Sequence, residues 1–222
     1  MSVSTDKLHF ASKIDAHACN SLLRPDPKLD QAFTNSTAKG LPAITISALQ
    51  GQYLSIQCQL INAKSVLEIG TLGGVSSIWF ARTGAKVTSI EIDPKHRDVA
   101  LENTKGLDVE VILGAALDIL PKLAAEGRKF DFVFIDASWD EQFEYFQWAV
   151  KLTRPNGCIY VDNVVRQLLE SENVGEGESL ITKVGKVDQV NATLISTISS
   201  HKGNSQEMFD GFLLAVVKDQ KQ

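Results

Sequence analysis

From Ser65 onward, short apolar runs alternate with stretches of helical periodicity, and this alternation limits the possible folds more than any other feature. The runs that read as strands lie at 65–70, 86–91, 108–113, 131–136 and 157–162. Helical patterns fall between them near 75–83, 95–104, 115–125 and 141–153. A strand reached through a helical crossover lies parallel to its predecessor, so an α/β core is expected, with a parallel sheet covered on both faces. Residues 178–188 read as one more helix. The tail departs from the pattern, because NATLISTIS (191–199) and DGFLLAVVK (210–218) are strand-like yet joined by HKGNSQEMF, which has no helical period. An antiparallel hairpin added to the parallel sheet accounts for that tail.

Residues 1–62 read as helical in three pieces. Arg24-Pro25-Asp26-Pro27 breaks the first, Gly40-Leu41-Pro42 ends the second, and Ser47 caps a third running to about Asn62. With no repeat or linker in its 222 residues, the chain is expected to be one domain, a helical cap (1–62) on an α/β core (63–222). A net charge of −5 without a basic block predicts no nucleic-acid partner. Cys19, Cys58 and Cys158 are odd in number and widely spaced, which suits neither a disulfide framework nor a zinc site and favours a reducing compartment. Cys158, inside the fifth strand, reads as core. The first residues lack the apolar centre of a secretory signal, and no run approaches the roughly 18 apolar residues of a membrane span. A soluble, cytoplasmic protein without a membrane partner is the expectation.

The ends of the strands carry the chemistry. VLEIGTLGGVSS (66–77) places Gly70, Gly73 and Gly74 at a strand-to-helix turn, where backbone can approach a ligand closely and a helix offers unpaired amides. A tight turn needing positive φ explains the same glycines. Leu72 occupies the second glycine position of G-x-G-x-x-G, which argues against a dinucleotide. The second strand, VTSIEID, ends at Glu91 and Asp93, about 20 residues beyond the turn, where an acid can accept both hydroxyls of a ribose. Turn and acid together favour a nucleoside-containing cofactor. Two further apolar runs stop abruptly on polar groups: FVFI on Asp136, and CIYV on Asp162 and Asn163.

Several segments, in this order, resemble the class I S-adenosylmethionine-dependent methyltransferases: LEIGTLGGVSSIWFAR, EIDPKH, FDFVFIDA, RPNGCIYVDNVVR and DGFLLAVV. More narrowly, they are similar to the small cation-dependent O-methyltransferases of the catechol and caffeoyl-CoA type, over about Gly40 to Val217. The resemblance implies a Rossmann-like fold, a mostly parallel seven-stranded sheet with the C-terminal hairpin, S-adenosylmethionine as cofactor, and a homodimer. It assigns Glu68, Gly70, Thr71, Leu72, Gly74, Ser76, Glu91, Ile92, Ala115, Ala116 and Asp136 to the cofactor. In that assignment the 70–74 loop holds the amino-acid end, Ser76 its carboxylate and Glu91 the ribose, and the Gly114–Ala116 turn lines the adenine. Ile46 and Gln50 align with positions that close over the cofactor.

The same resemblance gives Asp136, Asp162 and Asn163 to Mg²⁺ or another divalent cation. Three hard oxygen donors converging from parallel strand ends suit Mg²⁺ on their own chemistry. Capping of the helices that follow is the competing role for all three. The family places a lysine three residues after the first of these aspartates, as the base that deprotonates the acceptor. Trp139 stands there instead and cannot accept a proton. Asp140, its neighbour Glu141, His17 and His201 are candidate replacements, and cation-assisted ionisation without a side-chain base is another route. Trp139 reads as an aromatic wall, and Arg166 as a group that could hold an acidic acceptor.

The expected function is transfer of a methyl group to a hydroxyl of a small aromatic, catechol-like acceptor with cation assistance. A cation-independent O- or N-methyltransferase and a cofactor-binding protein without catalysis are the alternatives. The absence of G-x-S-x-G and of G-x-x-x-x-G-K-[ST] argues against a serine hydrolase and a P-loop hydrolase.

Overall fold

The structure, a computed structural model, describes residues 5–171, 177–199, 201 and 209–219. Three helices precede the sheet: α1 (Thr5–Leu22), α2 (Pro27–Ala38) and α3 (Ala48–Leu60). Their starts follow from local chemistry. Pro27 supplies the φ of a first helical residue while the Asp26 carboxylate accepts the Lys28 amide at 3.0 Å, and Ser47 Oγ accepts the Gln50 amide at 3.1 Å.

Among the described residues, seven strands form one sheet: β1 (Ser65–Ile69), β2 (Lys86–Glu91), β3 (Val109–Leu113), β4 (Phe130–Ile135), β5 (Thr153–Val161), β6 (Val190–Ile198) and β7 (Phe209–Val217). The order is β3-β2-β1-β4-β5-β7-β6, with β1 to β5 parallel and β7 antiparallel to both β5 and β6. This is the Rossmann-like arrangement with the antiparallel C-terminal hairpin. The connecting helices are α4 (Val75–Ala81), α5 (Pro94–Thr104), α6 (Ala116–Ala125), α7 (Gln142–Leu152), α8 (Val164–Ser171) and α9 (Leu180–Val184).

Three elements differ from expectation. The helix anticipated over 178–188 is only α9, because Ser179 caps its start and Gly185 ends it one turn later. β5 begins at Thr153 rather than 157, since a register shift against β4 between Phe130 and Phe132 lets it pair earlier. A 3₁₀ turn, Trp139–Glu141, precedes α7.

Strand alternation sends Leu67, Ile69, Val133, Ile135, Ile159 and Val161 to the face covered by α6 and α7. Val66, Phe132, Phe134, Cys158 and Tyr160 point the other way, against Leu54 of α3 and Phe80 of α4. Burial on both faces explains the unbroken apolar runs. Each such side chain contributes about 1.5–3 kcal/mol when fully buried, so the strands and the polar groups at their ends are held firmly. The strand order reverses between β1 and β4. The crevice at the carboxyl ends there is where an open α/β sheet binds ligands.

Candidate active site

The turn after β1 is shaped by contact with the end of β4. A Cβ on Gly70 (φ +92°) would lie 2.0 Å from the Asp136 carbonyl oxygen, so no side chain fits. Leu72 adopts φ +50°, and its amide and that of Thr71 donate to Glu91 Oε2 at 2.8 and 3.0 Å. Glu91 Oε1 accepts the Asp93 amide at 2.9 Å and lies 3.7 Å from His96 Nδ1. The acid expected on the ribose thus also braces the loop. Glu68 is fully buried beneath it, with its carboxylate accepting the Ser77 and Ser89 hydroxyls. Burial pushes Glu68 up to about 7, against the lowering effect of Ser76, Ser77 and Ser89.

A cavity of about 480 Å³ opens above this turn, with Gly70, Thr71, Leu72, Ser76, Glu91 and Ile92 on one side. Gly114, Ala115, Ala116, Asp136, Trp139 and Arg166 complete much of its wall. Glu68 and Gly74 lie outside that lining. Ile46 lines it, whereas Gln50 lines a second cavity.

Because Ile135 pairs with Val161, Asp136 and Asp162 emerge side by side. Gln50 Nε2 donates to Asp162 Oδ2 at 2.9 Å and to the Tyr160 hydroxyl at 3.1 Å. Asn163, at φ +58°, donates Nδ2 to Asp210 Oδ2 at 2.8 Å, and Asp210 Oδ1 accepts the Gly211 amide at 2.7 Å. These bonds run to α3 and β7 rather than to the first amides of α8, which weakens the helix-capping reading for Asp162 and Asn163. Burial raises the Asp162 carboxyl well above the usual carboxylate range, and the charges of Asp136 and Asp210 add to this.

Among the described residues, no three carboxylate, imidazole or thiolate groups gather closely enough to hold a metal by themselves. The donor set is two carboxylates and a carboxamide. It fits a hard divalent cation that keeps water ligands, since such an ion would offset the crowded negative charge around buried Asp162.

The second cavity, of about 410 Å³, lies between α3 and the β6–β7 hairpin, with Asp162, Asn163 and Asp210 among its lining residues. Ile44, Thr45, Ile46 and Asn163 line both cavities. His201 belongs to this second wall, with Nε2 3.0 Å from the Thr45 carbonyl oxygen. A carbonyl only accepts, so Nε2 carries the hydrogen and Nδ1 keeps its lone pair in the neutral ring. His17 is exposed on α1 and lines neither cavity, and Asp140 is exposed and outside both linings. Glu141 borders the first cavity and accepts the Tyr145 hydroxyl. The Arg166 guanidinium lies 6.0 Å from the Trp139 ring centroid and pairs with Glu170 at 2.8 Å. Sequence reasoning missed Asp210, His96 and the bond from Gln50 to Asp162. Asp210 alone left a trace, as a lone acid just before Gly211 in an otherwise apolar run.

A sequence model of an O-methyltransferase family matches residues 24–199. A catechol O-methyltransferase of Mycobacterium tuberculosis is 41% identical over 217 residues, covering 92% of this chain and 95% of that protein. The O-methyltransferase imqG of Aspergillus flavus is 40% identical over 209 residues, covering 86% and 82%. Among solved structures, an O-methyltransferase from Bacillus cereus in complex with SAH superimposes with a TM-score of 0.85 at 35% identity, covering 95% of this chain and all of that one.

Proposed function

The chain belongs to the O-methyltransferase family, and from that premise we propose that it methylates a hydroxyl of a catechol-type aromatic, using S-adenosylmethionine and a divalent cation. The observation that carries the reading is the meeting of Asp136, Asp162 and Asn163 at adjacent strand ends, between the cofactor-side cavity and a second chamber. When bound, the cofactor supplies an electrophilic sulfonium methyl, and the cation lowers the pKa of a chelated hydroxyl.

The chain's residues bind and orient. Gly70 to Leu72 and Ser76 border the amino-acid end, Glu91 and Ile92 the ribose, and Gly114 to Ala116 the adenine. Asp136, Asp162 and Asn163 would hold the cation, with Gln50 bonded to Asp162 and Asp210 to Asn163. Holding two reactants in line converts a bimolecular displacement into an effectively unimolecular one. A cofactor held there would present its methyl carbon to the acceptor oxygen and depart as the neutral thioether. Among the candidate bases, His201 is the one that shares the chamber with Asp162 and Asn163, and it would take the hydroxyl proton in place of the lysine that Trp139 displaces.

Methyl transfer from labelled S-adenosylmethionine to a catechol panel, run with Mg²⁺ and with EDTA, tests the reading. Turnover abolished both by EDTA and by Asp136→Ala is expected. Turnover indifferent to EDTA would instead give the two acids to a polar group of the acceptor, as in a cation-independent transferase. Cofactor binding without turnover of any acceptor would leave a binding protein.

A further inference from the structure

We infer that the natural acceptor is a catechol bearing an uncharged apolar extension on its ring, and that this extension occupies the chamber between α3 and the β6–β7 hairpin. The inference rests on the function proposed above and names its substrate class. An acceptor oxygen at Asp136, Asp162 and Asn163 leaves the remaining skeleton two directions in which to lie. One is the cofactor-side cavity, which S-adenosylmethionine fills. The other is the chamber, which shares Ile44, Thr45, Ile46 and Asn163 with that cavity and has Asp162 and Asp210 on its wall.

At about 410 Å³ the chamber falls in the range that encloses drug-sized ligands, so one aromatic ring underfills it. Leu49, Tyr53 and Phe212 give it an apolar lining, with the two aromatic rings 5.3 Å apart. Three more of its apolar residues, Ile44, Ile195 and Ile198, are 58%, 40% and 54% exposed, which is apolar surface an occupant would cover. Its ionisable groups are the acids Asp15, Asp162 and Asp210 and the imidazole of His201, and among the described residues no lysine or arginine lines it. Moving an anionic extension out of water against these apolar walls costs free energy that no described lysine or arginine offsets, so such an extension is disfavoured.

The test is kcat/KM for catechol and for catechols bearing methyl, ethyl, propyl and butyl groups para to one hydroxyl, with 3,4-dihydroxybenzoate as the anionic comparison. Burial of each methylene is expected to raise kcat/KM about fourfold until the chamber is full. Ile198→Trp and, separately, Leu49→Trp are expected to flatten that series, with cofactor affinity measured on each variant to establish that it is folded. A flat series in the wild-type protein overturns the inference, as does a steep series that neither variant alters. Dihydroxybenzoate outperforming methylcatechol overturns the charge preference. Failure to turn over any catechol, with cofactor bound, would overturn the proposed function itself and this inference with it.

Discussion

Asn163 shows how one residue's orientation depends on a partner that sequence does not reveal. The Asp210 carboxylate only accepts hydrogen bonds, so the atom facing it at 2.8 Å is the Asn163 amide nitrogen, and the amide oxygen is left for a cation. Asp210→Ala is expected to weaken Mn²⁺ binding about tenfold or more, read by electron paramagnetic resonance of the free ion. In an Asn163→Asp background there is no amide to orient, and Asp210 becomes a neighbouring like charge. The same substitution should then cost only the loss of one nearby negative charge, a smaller drop than in the wild-type background. An equal loss in both backgrounds would mean that Asp210 acts through general structure.

Glu68 gives a second test at this scale. Its folded pKa of about 7 lies above the ordinary 4.5, so folding favours the protonated form. That contribution is complete below about pH 4.5 and is lost as pH rises through about 7, a loss of about 3 kcal/mol at 1.36 kcal/mol per unit. Glu68→Gln has no proton to lose, so its stability relative to the wild type should grow by that amount over the same window. Urea melts of both proteins at the two ends check it, and a difference independent of pH would contradict the assignment.

At the scale of the element, a buried strand acts as a rigid arm for the group at its end. β1 and β4 are in contact through the Asp136 amide, which donates to the Ile69 carbonyl at 2.9 Å, and through Gly70, where a Cβ would strike the Asp136 carbonyl oxygen. Gly70→Ala is therefore expected to cost at least about 2 kcal/mol of stability and to abolish cofactor binding. Gly84, at φ +82° with nothing within 4 Å of the added Cβ, is the control. Gly84→Ala carries only the backbone strain of about 1–2 kcal/mol and should bind cofactor normally, as calorimetry would report. The strands were legible because burial on both faces leaves continuous apolar runs, α2 because Arg24-Pro25-Asp26-Pro27 interrupts the chain before it, and α3 because Ser47 caps it. The length of α9 was not, since Glu178 to Asp188 is polar enough to suit either a helix or the turn that follows Gly185.

Across the whole molecule, the sheet order spreads the site along one edge. The proposed cofactor groups lie at β1 to β3, the three proposed cation ligands at β4 and β5, and the chamber at β5, β7 and β6. Hydrogen exchange should resolve these parts. S-adenosylhomocysteine is expected to slow exchange over 70–76, 91–93 and 114–116 while leaving β6 unchanged. β6, an edge strand with mostly exposed side chains, should exchange faster than central β1, β4 and β5. Protection of β6 by the cofactor alone would contradict the separation.

The sequence alone determined where the backbone alternates between strand and helix, and which runs end on Asp136, Asp162 and Asn163. Those features are local, set by the periodicity of burial and by capping within a few residues. Tertiary structure decided which polar groups meet at the strand ends. Gln50 reaches Asp162 across 112 positions and Asp210 reaches Asn163 across 47, because β7 inserts beside β5 and α3 crosses the same edge. A hydrogen bond between groups so far apart leaves no periodicity in the chain; it exists only once the sheet order has brought both ends together.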